Sequence, residues 1–107
     1  MKISIVLPAI LALSTATSAT DCYGSSRCQV GGCQLVDVLN AVPNKNFRPG
    51  ERIACCNPRN GGNGLCAWAT HSSGYMSWLV ARNYIQGLMN YGCRRCGHNG
   101  SVRVDVP

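Results

Sequence analysis

Beyond residue 19 the chain has no apolar run long enough to cross a bilayer, only four acidic residues (Asp21, Asp37, Glu51 and Asp105), and no internal repeat or low-complexity tract. The first absence excludes a membrane-spanning domain, which needs about 18 or more consecutive apolar residues. The shortage of acid leaves a positive balance, and a length of 107 residues allows one domain. The Cys93-Arg94-Arg95-Cys96 spacing has no second ligand pair to complete a zinc site. It also lacks a thioredoxin-like strand and helix around it, so no metal, redox centre or cofactor is expected.

What is present begins with a leader. Met1 and Lys2 give a positive start, residues 3–13 are almost wholly apolar, and residues 14–19 are small, ending in Thr17, Ser18 and Ala19. This is the pattern of a signal peptide over residues 1–19, cleaved after Ala19. The working protein, residues 20–107, is therefore expected to be secreted and extracellular. Without Lys2 it carries nine basic residues against four acidic ones. That balance favours anionic partners, although dispersed charge of this kind also serves solubility alone.

All eight cysteines (Cys22, Cys28, Cys33, Cys55, Cys56, Cys66, Cys93 and Cys96) follow the leader. An even count in an exported chain reads as a disulfide framework. A domain this short needs one, because its core supplies only a few kcal/mol net, whereas a bridge closing a long loop adds about 3 to 4 kcal/mol.

Residues 20–32 read as irregular, with Gly24, Ser25, Ser26, Gly31 and Gly32 supplying turns. Leu35, Val38, Leu39 and Val42 form a helical stripe that begins near Cys33 and ends at Pro43. A polar loop over residues 44–50 leads into a strand at 51–56, and a Gly/Asn/Pro loop at 57–64 joins it to a second strand at 65–70, forming a hairpin. Ser72 and Ser73 are candidate caps for a helix over 75–91, with Trp78, Ala81, Ile85, Leu88 and Met89 on one face and Gly92 as its C-terminal cap. Asn99-Gly100 suggests a turn, and Val102, Val104 and Val106 alternate with Arg103 and Asp105 as a half-buried strand. The order predicts an α+β layer: a mostly antiparallel sheet with two helices on one face.

Eight cysteines allow about 105 pairings. Cys55 and Cys56 are neighbours in a strand, so they face opposite sides and need different partners. Cys66 suits a cross-strand bridge to Cys55 and Cys33 could meet Cys56, or the two faces could be exchanged. Cys22 and Cys28 are left to Cys93 and Cys96.

These motifs, taken in order, resemble the killer protein 4 family, comprising a virus-encoded fungal killer toxin and its cellular relatives. The resemblance is carried by the Asp-Cys-x-Gly-Ser-Ser-x-Cys segment at 21–28, Pro-Gly-Glu-Arg at 49–52, Ile-Ala-Cys at 53–55 and Cys-Ala-Trp at 66–68. It continues in Asn-x-Gly-Cys-x-x-Cys-Gly at 90–97 and the Val-x-Val-x-Val strand at 102–106. It implies a disulfide-stapled α/β-sandwich with two antiparallel helices, the pairs Cys22 with Cys93 and Cys28 with Cys96, and a killer-toxin-like domain over 20–107. It also implies a non-catalytic toxin whose basic surface inhibits calcium channels, or an antifungal protein or effector of plant colonisation. This chain departs from the family in three places. Ile53 or Ala54 stands where the toxin has its functional lysine, no cysteine follows Cys96, and the loop before the last strand is shorter.

For a protein with a cell-surface target, the candidate binding residues are the cations Lys45, Arg48, Arg52, Arg94 and Arg95, each with solvated surface charge as the bland alternative. Arg94 and Arg95 stand out because cysteines flank them and would fix the backbone, lowering the ordering cost of binding. A cationic membrane-active antimicrobial is the alternative mechanism. A small ribonuclease would need Glu51, Arg52, His71 and His98 brought together, and no signature links them; a hydrophobin has two cysteine doublets and this chain has one. No enzymatic activity, nucleic-acid partner or stable membrane insertion is expected, and a monomer is. Asn99-Gly100-Ser101 is a glycosylation sequon.

Overall fold

The structure, a computed structural model, describes residues 19–29, 32–58 and 62–107. The expected leader lies outside the described residues except for Ala19, as do Gly31 and the middle of the 57–64 loop. Among the described residues, five strands and two α-helices follow one another as β1 (Thr20–Asp21), α1 (Leu35–Ala41), β2 (Arg52–Cys56), β3 (Leu65–Ala69), α2 (Trp78–Tyr91), β4 (Gly97–Asn99) and β5 (Val102–Asp105). The strands form one sheet in the order β1-β4-β5-β3-β2, every neighbouring pair antiparallel. Among the described residues no helix is long and apolar enough to cross a membrane.

The helices lie antiparallel. At one end Leu35 N donates to Arg94 O, just past the end of α2, and at the other Arg82 Nη1, in the first turns of α2, donates to Leu39 O at 3.0 Å. Leu35, Val38, Leu39 and Val42 are all buried, so the stripe read from sequence is the face that packs inward. Ala81, Ile85 and Leu88 do the same for α2, and Val102 and Val104 meet them from the sheet. Each large apolar side chain buried here stabilises the fold by about 1.5 to 3 kcal/mol.

Three readings need correction. Helix α2 starts at Trp78, with Ser77 rather than Ser72 or Ser73 as its cap; the Ser77 hydroxyl accepts from Val80 N at 3.2 Å. Residues before it cannot be helical because Met76 and Phe47 exchange both backbone hydrogen bonds at 2.8 Å, holding Met76 extended. The amino-terminal segment is not wholly irregular: it contributes edge strand β1 and a 3₁₀ turn at Ser26–Gln29. Strand β4 also went unread, since Gly97, His98 and Asn99 carry no strand propensity and are extended because β1 and β5 pair on either side.

Four disulfides join Cys22 to Cys93, Cys28 to Cys96, Cys33 to Cys56 and Cys55 to Cys66, with Cα separations of 5.3, 6.0, 6.0 and 4.0 Å. Cys55 and Cys66 are direct cross-strand partners on the face away from the helices, while Cys56 reaches Cys33 at the foot of α1. Because Cys93 and Cys96 each bond elsewhere, the Cys-x-x-Cys segment is not a ligand or redox pair. The sulfurs of Cys28 and Cys96 lie close to Asp105 Oδ1, but both are spent in a disulfide, and that oxygen accepts from Ser25 N and Val106 N.

Candidate functional site

The five cations singled out in the sequence fall into three places. Lys45 and Arg48 sit in the loop between α1 and β2, which turns tightly at residues 48–51: Glu51 N donates to Arg48 O at 3.0 Å and Gly50 takes φ +82°. Pro at the second position and Gly at the third suit that turn. Glu51 clamps the loop, its carboxylate accepting from Lys45 Nζ and, at 2.9 Å, from Arg48 N. The Lys45 hydrogen bond, followed by the Arg48 N–H, holds the Glu51 carboxyl below the usual carboxylate range. Lys45 is therefore an internally paired cation that also lies over the Phe47 ring, 5.4 Å from its centroid. With Arg48, Glu51 and Tyr75 it lines an open groove of about 600 Å³.

Arg94 and Arg95 occupy the short loop after α2. Gly92, at φ +112°, caps the helix in the left-handed region, and Cys93 N donates to Leu88 O at 3.0 Å. Two disulfides then fasten the loop, Cys93 to Cys22 and Cys96 to Cys28. The two arginines differ. Arg95 is half-buried and donates from Nε to Cys33 O at 3.2 Å, so it braces the loop against the start of α1. Arg94 gives only its backbone oxygen to the fold; its side chain is exposed and has no hydrogen-bond or ion-pair partner among the described residues. It borders a cleft of about 280 Å³ shared with Arg95 and the cysteines Cys22, Cys28 and Cys96.

Arg52 stands alone in a third place, exposed on the sheet face that the helices leave open. It begins β2, next to Glu51, whereas Cys56 at the far end of the same strand is tied to Cys33, the residue braced by Arg95. The loop cations and the Arg94-Arg95 pair thus sit toward opposite ends of the sheet, separated by the length of β2, roughly 13 Å at about 3.3 Å per residue. They do not form one patch.

Sequence reading missed what surrounds Arg52. The ring of Trp68, its cross-strand partner, carries the guanidinium of Arg103 at 4.4 Å from the centroid. Alternation in the last strand placed Arg103 opposite the valine face, but only strand order brings it beside Trp68.

The residues of the ribonuclease reading have separate partners: Glu51 holds Lys45, His71 Nε2 lies 3.0 Å from Gly74 O, and His98 Nδ1 lies 3.1 Å from Asp21 Oδ1. Asn99 points to the helix side. Its Nδ2, the atom a sugar would occupy, donates to Tyr84 O at 2.9 Å, and its Oδ1 accepts from Thr20 Oγ1 at 3.0 Å. A Cβ on Gly87 would overlap that nitrogen, so the contact with α2 is close.

Comparison with known proteins places these features in a family. The Kp4 family model matches residues 5–105. The chain is 32% identical over 82 residues to the KP4 killer toxin of Ustilago maydis P4 virus, an alignment covering 72% of this chain and 62% of that protein. The chain thus spans about 62% of the length of that relative. With its stapled five-stranded sheet, two helices and matched residues, the chain belongs to the Kp4 family.

Proposed function

We propose that this chain is a secreted, non-enzymatic killer-toxin-like protein that binds a target on the surface of another cell, with Arg94 as its principal contact. The observation that carries this reading is an exposed guanidinium with no internal partner on a backbone fastened by two disulfides. A fixed loop loses little freedom on binding, and arginine makes bidentate contacts with carboxylates that a flexible lysine cannot reproduce. Lys45 is a weaker contact because binding would have to displace Glu51. Secretion is supported by the leader pattern and by four disulfides, which persist in oxidising compartments.

Calcium-channel inhibition in a competing fungus or a plant host is the activity to test first. The positions that match the family's lysine, Ile53 and Ala54, are 3% and 9% exposed and belong to the core. Channel action in this chain would therefore run through other cations. The test applies the oxidised domain, residues 20–107, to fungal and plant cells and follows calcium entry and growth. Reduced entry or growth is expected, together with intact protein-free anionic vesicles. No effect on any cell would end the toxin reading, and salt-sensitive vesicle leakage would replace it with membrane disruption.

A further inference from the structure

The open face of the sheet carries one continuous row. Strand pairing sets Asp21 opposite His98, His98 opposite Arg103, Arg103 opposite Trp68 and Trp68 opposite Arg52, in the spatial order β1, β4, β5, β3, β2. Residues in register share a face, so five side chains form a line across the sheet, about 19 Å long at roughly 4.8 Å per strand.

The two ends of the line differ. At the acidic end Asp21 is already satisfied: its Oδ1 accepts from Tyr23 N at 2.9 Å and faces His98 Nδ1. At the basic end Arg103 stacks on Trp68, with only a long contact of 3.6 Å to Asp105, and the Arg52 side chain has no hydrogen-bond or ion-pair partner among the described residues. One rung along, the face is covered: Ser25 N donates to Asp105 Oδ1, and Gly24 packs tightly on Cys96. The row itself is open, with the His98 and Arg103 side chains 45% and 38% exposed.

We infer that this row is a docking strip for an acidic polypeptide segment, Arg52 and Arg103 each receiving a carboxylate and Trp68 holding the Arg103 guanidinium in place. Stacking spends the face of the Arg103 guanidinium and leaves its N–H edge for a bidentate carboxylate, in an orientation fixed before the partner arrives. Tryptophan and arginine are also the residues on which binding energy concentrates. Other anions fit less well. Arg103 already covers the Trp68 face that a sugar ring would stack on, and the row presents no exposed aliphatic side chain to a lipid surface. Arg52 and Arg103 lie two strands apart, about 10 Å. A polyproline II segment repeats a face every three residues, about 9.3 Å, so acids at that interval match them.

This strip is distinct from Arg94, and the inference does not rest on the proposed function. The test titrates the oxidised domain with synthetic Glu-Pro-Pro and Lys-Pro-Pro repeat peptides, polygalacturonate and anionic vesicles. Binding of the Glu peptide alone is expected, weakened about tenfold or more by Arg52→Gln and again by Trp68→Leu. Arg52 is exposed, so that variant should keep its fold, checked by circular dichroism and disulfide content. Preference for the polysaccharide or the vesicles, or Glu-peptide binding indifferent to Arg52→Gln, would overturn the inference.

Discussion

Arg95 donates its Nε to the carbonyl oxygen of Cys33 at 3.2 Å, joining residues 62 apart in sequence. The carbonyl belongs to a residue that is itself bridged to Cys56 and precedes α1. One side chain thus links the loop after α2 to the foot of α1 and to the end of β2. The neighbouring Arg94, one residue before it, has its side chain left facing solvent. Adjacent arginines that look equivalent in sequence therefore divide into a brace and an exposed, unpaired side chain.

That division has a direct consequence for stability. Arg95→Ala removes a charge-assisted hydrogen bond and is expected to cost about 1 to 2 kcal/mol, whereas Arg94→Ala should stay within about 0.5 kcal/mol of the parent. Urea unfolding of both variants with disulfides intact checks this. Equal loss in the two would mean that Arg95 is not a brace.

Asn99 is expected to emerge from a secretory host without a glycan, because its Nδ2 is held by Tyr84 O and packed over Gly87. Peptide mapping by mass spectrometry reads this directly, and a sugar on Asn99 in folded protein would contradict it. By the same geometry Gly87→Ala, which drives a methyl into Asn99, should destabilise by about 1 to 3 kcal/mol.

Asp21 gives the fold an acid-sensitive edge. Its carboxyl is held below the ordinary value of 3.8 first by the Tyr23 N–H and then by His98. A depressed folded pKa gives stability that is complete above the unfolded value and is lost as pH falls through the folded one. Asp21→Asn should therefore be less stable than the parent at neutral pH, with the gap closing below the ordinary carboxylate range. Urea midpoints measured from neutral pH downward test the sign; a gap that widens in acid would refute it. Asp21 is partly exposed, so added salt should shrink the effect.

The disulfides should not be equal. Cys22–Cys93 spans 71 residues and Cys55–Cys66 only 11. In the chain-entropy picture their removal costs about 4 and about 3 kcal/mol respectively. Paired Cys-to-Ser variants, compared by thermal unfolding, should rank in that order, and the reverse order would point to native-state contacts as the larger contribution.

What the sequence made legible was local. The stripe of Leu35, Val38, Leu39 and Val42 and the alternation of Val102, Arg103 and Val104 each follow a short period, and both are present as read. The cross-strand partnership of Cys55 and Cys66 could be read from the hairpin, and the amino-terminal pairs only through the family resemblance. The start of α2 falls later than the sequence suggests because Met76 is claimed by a distant bridge to Phe47, which no window of neighbouring residues contains. The Arg52, Trp68, Arg103, His98 and Asp21 row was illegible for the same reason. Its five members come from five strands, and their adjacency depends on a sheet order that inserts the last hairpin between the first strand and the third.

The most direct measurement is competition on whole cells. Labelled oxidised domain is bound to susceptible fungal or plant cells and displaced by unlabelled parent, Arg94→Glu or Lys45→Glu. With Arg94 as the principal contact, Arg94→Glu should compete at least tenfold more weakly than the parent while unfolding at the same urea concentration, and Lys45→Glu should lose less. An Arg94→Glu protein that competes as well as the parent would contradict the proposal.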